Sequence, residues 1–291
     1  MTKTLFRALL VFCALPLLAQ SDPFAETNPY KPLTKLPMGD VFLSLPSPNI
    51  PSQGTWEVKF THRFNQSIDE GSFADRAHDL FGLDSNADVT FGVGYTPRRD
   101  LQLSLARSNT NDTFEAAAKW VFLQQAPSVP VSVSLRGGAD WRTEENLKDR
   151  TSFFAQGIIT KQFGRKVEVF ALPTIATNAG RALDGDQSAA MFDHAFNMPV
   201  GFAYMWKPAL AVVVELVPPN QDLADDADAD LGWSIGLKRA IGGHWFEVLL
   251  TNSQSTMVDQ YVTSTFQGAP LDSGDIHLGF NIERRFGGRR R

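Results

Sequence analysis

The chain has 291 residues, 43% hydrophobic and 20% charged, with a formal net charge of −5. The first twenty residues hold two cations and no anion, so the remainder carries −7. That acidity argues against a nucleic-acid partner, which wants a basic face. The length suits one β domain. The only cysteine, Cys13, lies within those first twenty residues. The rest of the chain therefore has no disulfide, thiolate metal site, Cys nucleophile or Cys-x-x-Cys-His haem attachment.

Residues 1–20 read as a secretory signal peptide. Lys3 and Arg7 precede an apolar run from Ala8 to Leu18, and Ala19 or Gln20 offers a cleavage point. The run is too short to span a bilayer, so it is a removable segment. The bulky Phe12 before Cys13 argues against lipoprotein processing. Residues 21–53 are rich in Pro, Ser and Asn (Asn28-Pro29, Pro46-Ser47-Pro48-Asn49, Ile50-Pro51). Proline cannot donate to a sheet ladder, so a periplasmic tail or linker is the preferred reading. The one apolar stretch there, Val41-Phe42-Leu43-Ser44-Leu45, offers a short strand or a small plug as the alternative.

From Trp56 to Phe286, short segments alternate apolar and polar residues. Trp56, Val58, Phe60, His62 and Phe64 share one face, with Glu57, Lys59, Thr61 and Arg63 on the other. Phe114 to Phe122, Val131 to Arg136, Trp233 to Lys238 and Ile276 to Glu283 repeat the pattern. Thr151–Phe163 is ambiguous, and Ala209–Val217 is apolar on both faces except at Glu215. Tight links at Pro97–Asp100, Gln125–Pro130, Gly164–Lys166, Lys207–Pro208 and Ile241–Gly243 alternate with long ones at 65–87, 142–150, 178–197, 218–230 and 253–273. The link Asn109–Asp112 falls where a long one is due and is short. In an up-and-down sheet every second connection lies on the same edge, so this rhythm puts long loops at one end and tight turns at the other. No apolar run is long enough for a membrane helix. A membrane-spanning chain must then be a closed barrel.

The predicted fold is all-β: a transmembrane up-and-down antiparallel β-barrel over residues 54–286, with about twelve strands. Both termini face the periplasm, and a basic tail occupies residues 287–291. A soluble β-sandwich or lipocalin-like barrel is the competitor, since those also alternate. Export, the loop rhythm and strand-end aromatics (Trp56, Phe64, Tyr95, Trp120, Trp141, Trp206, Trp233, Phe286) favour the outer membrane.

Several stretches resemble a family of bacterial β-barrels known only as a domain of unknown function. They are Thr61-His62-Arg63-Phe64, Phe81-Gly82-Leu83-Asp84-Ser85, Leu105-Ala106-Arg107-Ser108, Lys119 to Gln125, Ile241 to Ser253 and Gly279 to Phe286. The resemblance covers most of the chain from about residue 40 onward. It implies an outer-membrane barrel and carries no catalytic motif.

The candidate lumen residues are Glu57, Lys59, Arg63, Glu115, Lys119, Arg136, Asp140, Glu215, Lys238, Glu247, His277 and Glu283, with Glu168 and Arg285 on the same face. Their interspersed signs fit a solute-selecting pore. They also fit an interior filled by its own ion pairs, and the narrowness of a twelve-strand barrel favours that plainer reading. The stretch Gln66–Asp84 predicts a short amphipathic helix in the first long loop, either folded over the mouth or capping its own loop. Asp225, Asp226, Asp228 and Asp230 form a candidate outer acidic loop. Leu231 and Leu237 stand where a calcium hand needs Gly and Glu, so the loop is not that site.

The five histidines show no metal-ligand spacing, and no nucleophile elbow is present. No cofactor, metal or catalytic residue is expected. The expected partners are outer-membrane lipid, lipopolysaccharide, the barrel-assembly machinery and a small solute. The expected function is passage or binding of that solute. The alternative is a non-conducting barrel that holds a redox or lipid-binding partner.

Overall fold

The computed structural model describes residues 32–180, 190–220, 230–266 and 269–288. The expected signal peptide, Asp225, Asp226, Asp228 and residues 289–291 lie outside the described residues. The strands are β1 (Thr55–Phe64), β2 (Ala87–Arg98), β3 (Leu101–Ser108), β4 (Thr113–Leu123), β5 (Ser132–Arg142), β6 (Thr151–Phe163), β7 (Val167–Ala171 continued by Thr174–Ala179), β8 (Phe192–Asn197 continued by Val200–Lys207), β9 (Leu210–Val217), β10 (Gly232–Ile241), β11 (His244–Thr251) and β12 (His277–Gly287). All neighbours pair antiparallel, and β12 returns to β1, with Trp56 opposite Phe286 and Phe60 opposite Ile282. The result is a closed twelve-strand barrel.

The breaks in β7 and β8 fall at Pro173 and Pro199, residues that have no amide to donate. The ladder crosses them without a register slip. Gln156 faces Thr174 as Ile159 faces Ala171, and Leu172 N donates to Pro199 O at 2.8 Å. The β10–β11 hairpin turns on Gly242 (φ 56°) and Gly243 (φ 84°). A two-residue turn with two positive φ values matches the strand twist, and glycine reaches it without strain.

Alternation sorts every strand into two faces. Outward positions are apolar and exposed: Leu105 is 66% exposed, Val248 58% and Trp206 63%. This exposed apolar surface runs around the barrel and is explained by lipid. The strand-end aromatics Trp56, Trp120, Trp141 and Phe286 also point outward.

In the first long loop α1 (Phe73–His78) starts on a capping box between Ser72 and Asp75. It buries no residue, and Phe73 is 73% exposed, so it does not fold over the mouth. The last long loop behaves differently. Its helix α2 (Val258–Tyr261) is buried at every position.

Of residues 21–53, expected as a periplasmic linker with a short strand or small plug at Val41–Leu45 as the alternative, the described part runs inside the barrel. Leu36, Met38, Val41, Phe42, Leu43 and Leu45 lie buried inside the barrel. The core of the protein is this segment packed against inward residues of β6 to β9 and β11, among them Ile158, Phe170, Ala203, Val213 and Leu249. Burying such apolar side chains is worth roughly 1.5–3 kcal/mol each. Prolines at 37, 46 and 48 lower the number of buried amides that need an acceptor. The same prolines that suggest a linker therefore suit a segment threaded through a lumen.

Two adjacent residues of β3 test the assignment of faces. Leu105→Arg puts a guanidinium against hydrocarbon, costing roughly 2–4 kcal/mol near the midplane. Ser104→Lys enters a polar cavity lined by charged residues. The first should sharply lower the refolded fraction in liposomes, read by heat-modifiable gel migration. The second should lower it much less.

Candidate functional site

The lumen is occupied by a hairpin of the N-terminal segment. Leu33 N donates to Gln125 O at 2.8 Å at the short-turn end, and Trp245 Nε1 donates to Pro37 O at 2.8 Å. The chain reverses where Phe42 N donates to Leu45 O at 2.8 Å and Ser47 N to Asp40 O at 2.9 Å. Gly39 (φ +71°) precedes the turn, and a Cβ there would strike the Glu283 carboxylate at 2.4 Å. Glycine is the residue that meets both demands.

The barrel wall satisfies this hairpin group by group. Glu215 accepts three consecutive amides, from Leu43 at 2.8 Å, Ser44 at 3.0 Å and Leu45 at 3.0 Å. Lys238 Nζ donates to Val41 O at 2.6 Å and Phe42 O at 3.3 Å, and also pairs with Glu247 and Glu283. Asn281 Nδ2 donates to Leu43 O at 2.6 Å, Arg63 Nη2 to Ser44 Oγ at 3.1 Å, and Asp40 N to Glu283 Oε2 at 2.9 Å. The apolar side of the hairpin faces the opposite wall. Phe42 stacks on Phe170 with centroids 3.8 Å apart. Gly201 makes room for that ring, since a Cβ there would lie 2.4 Å from it.

Asp40 joins the hairpin to the charged wall. Its carboxylate meets Lys119 Nζ at 2.6 Å and Lys59 Nζ at 3.6 Å. Burial alone would raise its pKa, but Lys119 and Lys59 outweigh that and hold it well below the usual carboxylate range. Lys35, at the base of the segment, is lowered to about 8 by burial and by the charge of Lys119.

From the long-loop end, α2 enters the barrel and is locked by Asp259. Arg142 Nε donates to Asp259 Oδ2 at 2.8 Å, and Asp259 N donates to Asp140 Oδ2 at 3.1 Å. Arg142 also holds Asp149 O and Asn178 O, each at 2.8 Å. Thr90 and Thr256 hydroxyls bond at 2.7 Å. Between hairpin, loop and the wall of β1 to β5 remains a cavity of about 60 Å³ lined by Asp40, Lys59, Thr61, Arg63, Gln102, Lys119 and Arg136, among others.

All twelve candidate lumen residues face inward, and the structure brings most of them onto partners. Glu57 pairs with Arg285, and Glu115 with Arg136. His277 bonds Gln254 at 2.8 Å, and Glu168 is buried. Asp230, the one member of the acidic loop among the described residues, accepts Ser273 N at 2.9 Å and Ser273 Oγ at 2.6 Å. Among the described residues no group of three or more His, Cys, Asp or Glu is arranged to hold a metal. Sequence reasoning missed Asp40, Trp245, Arg142, Asn281 and Asp259. Trp245 was findable, because it has the parity of Glu247 on β11. Asp40 sits in irregular backbone and Asp259 in helix α2, where strand parity says nothing.

Two substitutions probe the two ends of this packing. Glu215→Ala leaves three amides without their charged acceptor, and each such bond is worth roughly 1.5–3 kcal/mol. Hydrogen exchange at Leu43–Leu45 should accelerate by about tenfold or more, while barrel amides stay protected. Arg142→Met strands a buried carboxylate, an effect of roughly 3–5 kcal/mol. It should expose the 253–264 loop to proteolysis and leave the hairpin in place.

The sequence profile of the "Membrane bound beta barrel domain (DUF5777)" family matches residues 39–286. No curated protein matches the chain. Among solved structures, the chain is similar to the KdgM porin crystallised with disordered oligogalacturonate: 7% identity, TM-score 0.50, 79% of this chain and 99% of that one. It is also similar to the COG4313 outer-membrane channel from Pseudomonas putida F1: 11% identity, TM-score 0.51, 82% of this chain and 97% of that one. At such identities the likeness is one of fold. The chain is an outer-membrane β-barrel, and it belongs to the DUF5777 family of membrane-bound β-barrel domains.

Proposed function

We propose that this barrel is a small-solute channel closed at rest by its own N-terminal hairpin. The observation that carries the reading is the hairpin's mode of attachment. It is held to the polar wall by hydrogen bonds and ion pairs that water can replace, beside a residual charged cavity. A barrel of about eight strands can fill its interior with wall side chains. Here the wall beside the cavity carries Gly92, Gly94, Ser104 and Ala106, which leave space. The short-turn end, where the hairpin enters, faces the periplasm in this reading, so the gate is operated from inside the cell envelope. Lipid surrounds the apolar belt, with lipopolysaccharide at the long-loop end, and the barrel-assembly machinery inserts the chain.

A non-conducting scaffold for a periplasmic or surface partner is the second reading. Its support is the filled lumen itself. The two readings part in a planar bilayer. The parent protein should give rare conductance steps, and Glu215→Ala should raise the open fraction by about tenfold, the minimum expected from losing one charge-assisted bond. Silence from both, with heat-modifiable migration intact, would leave only the scaffold.

A further inference from the structure

We infer that the cavity between β1 and β4 is a binding site for a small carboxylate, and that Asp40 occupies it in the closed protein as a tethered stand-in for the solute. The inference names the solute class of the proposed channel and rests on that reading for its role in transport.

The ion-pair pattern singles this place out. The other lumen cations have partners that do not belong to the hairpin. Arg136 pairs with Glu115, Arg285 with Glu57, Lys238 with Glu247 and Glu283, and Arg142 with Asp259. The ion pairs of Lys59 and Lys119 are both with Asp40, a residue of the removable hairpin. Arg63, on the same wall, holds the hairpin through Ser44 Oγ at 3.1 Å. Withdrawal of the hairpin therefore leaves Lys59 and Lys119 without their carboxylate, on a wall whose Glu57 and Glu115 stay paired with Arg285 and Arg136.

The cavity itself supplies an independent sign. Gln102 and Thr61 line it, and they are only 3% and 5% exposed. Gln102 Nε2 and Thr61 Oγ1 have no hydrogen-bond partner. A buried donor without an acceptor is costly. Lys59, Lys119, Gln102 and Thr61 share this cavity with Glu57 and Glu115, whose carboxylates are already matched by Arg285 and Arg136, so the groups left over are donors. A carboxylate has acceptor positions for several such donors at once. Asp40 lines the existing space of about 60 Å³, so removing its carboxylate adds room for a molecule of its own chemistry.

The test uses the full chain refolded in detergent, with Asp40→Ala as the key variant. Titration calorimetry with sodium acetate should show binding about tenfold tighter than in the parent, the effect of at least one charge-assisted hydrogen bond. The double variant Asp40→Ala with Lys119→Gln should lose that gain. If Asp40→Ala frees the whole hairpin, acetate should still bind, because both lysines belong to the wall. Hydrogen exchange at Leu43–Leu45 reports which case applies. An Asp40→Ala protein that shows heat-modifiable migration yet binds no acetate would overturn the site. An equal response to sodium chloride would reduce it to a counter-ion pocket and overturn the carboxylate assignment. Acetate binding with electrically silent bilayers removes the channel reading and keeps the site. Conductance without acetate binding removes the site alone.

Discussion

Every other feature of this molecule follows from the pairing of β1 with β12. Hydrocarbon offers no partner to a free amide or carbonyl, so a spanning sheet must have no edge. The register from Thr55–Gly287 to Arg63–Gly279 removes the last edge. Closure then creates an inside and an outside, and period-two alternation assigns each residue to one of them. The charged side chains of the strands point inward because lipid rejects them, while β6 to β9 also turn apolar residues such as Ile158 and Phe170 inward. Their arrangement is a consequence of closure before it is an adaptation to any ligand.

A closed cylinder of twelve strands encloses more space than this wall can fill. On β7 to β9 the inward residues include Ala176, Ala203, Gly201, Ala211 and Val213, which are small for the span they face. Two irregular segments take up the difference, one from each end. The hairpin around Phe42 fills the apolar half through stacking on Phe170. The loop carrying α2 closes the other end through the Arg142–Asp259 pair. Irregular backbone at membrane depth is tolerated where protein surrounds it and satisfies its polar groups. Glu215, Lys238 and Asn281 meet that requirement for the hairpin, accepting its amides and donating to its carbonyls.

The lumen is thus asymmetric in both polarity and charge. Carboxylates on β9, β11 and β12 hold backbone donors and Lys238, while Lys59 and Lys119 on β1 and β4 hold Asp40. The pairs of Lys238 with Glu247 and Glu283 lie within the wall and need nothing from the hairpin. The contacts to Asp40 and Glu215 depend on it. A closed state built from apolar packing on one side of a peptide segment and charge-assisted bonds on the other is the physical basis for treating that segment as a gate.

The sequence by itself determined the strands, their faces and the ends at which the loops lie. Each of these depends on local information: a period of two along Trp56 to Phe64, the punctuation of Gly242-Gly243, and the length of each link. The same parity placed Glu57, Lys119, Glu215 and Lys238 inside, because a strand residue has only two sides to choose from. Only the tertiary structure decided what those residues touch. The segment 32–53 has no period, and its prolines fit a solvated linker as well as a threaded hairpin. Its place depends on a lumen that exists only after residues hundreds of positions apart have closed the barrel. Leu43 reaches Glu215 and Asp40 reaches Lys119 through that closure, and neither contact leaves a trace in local pattern.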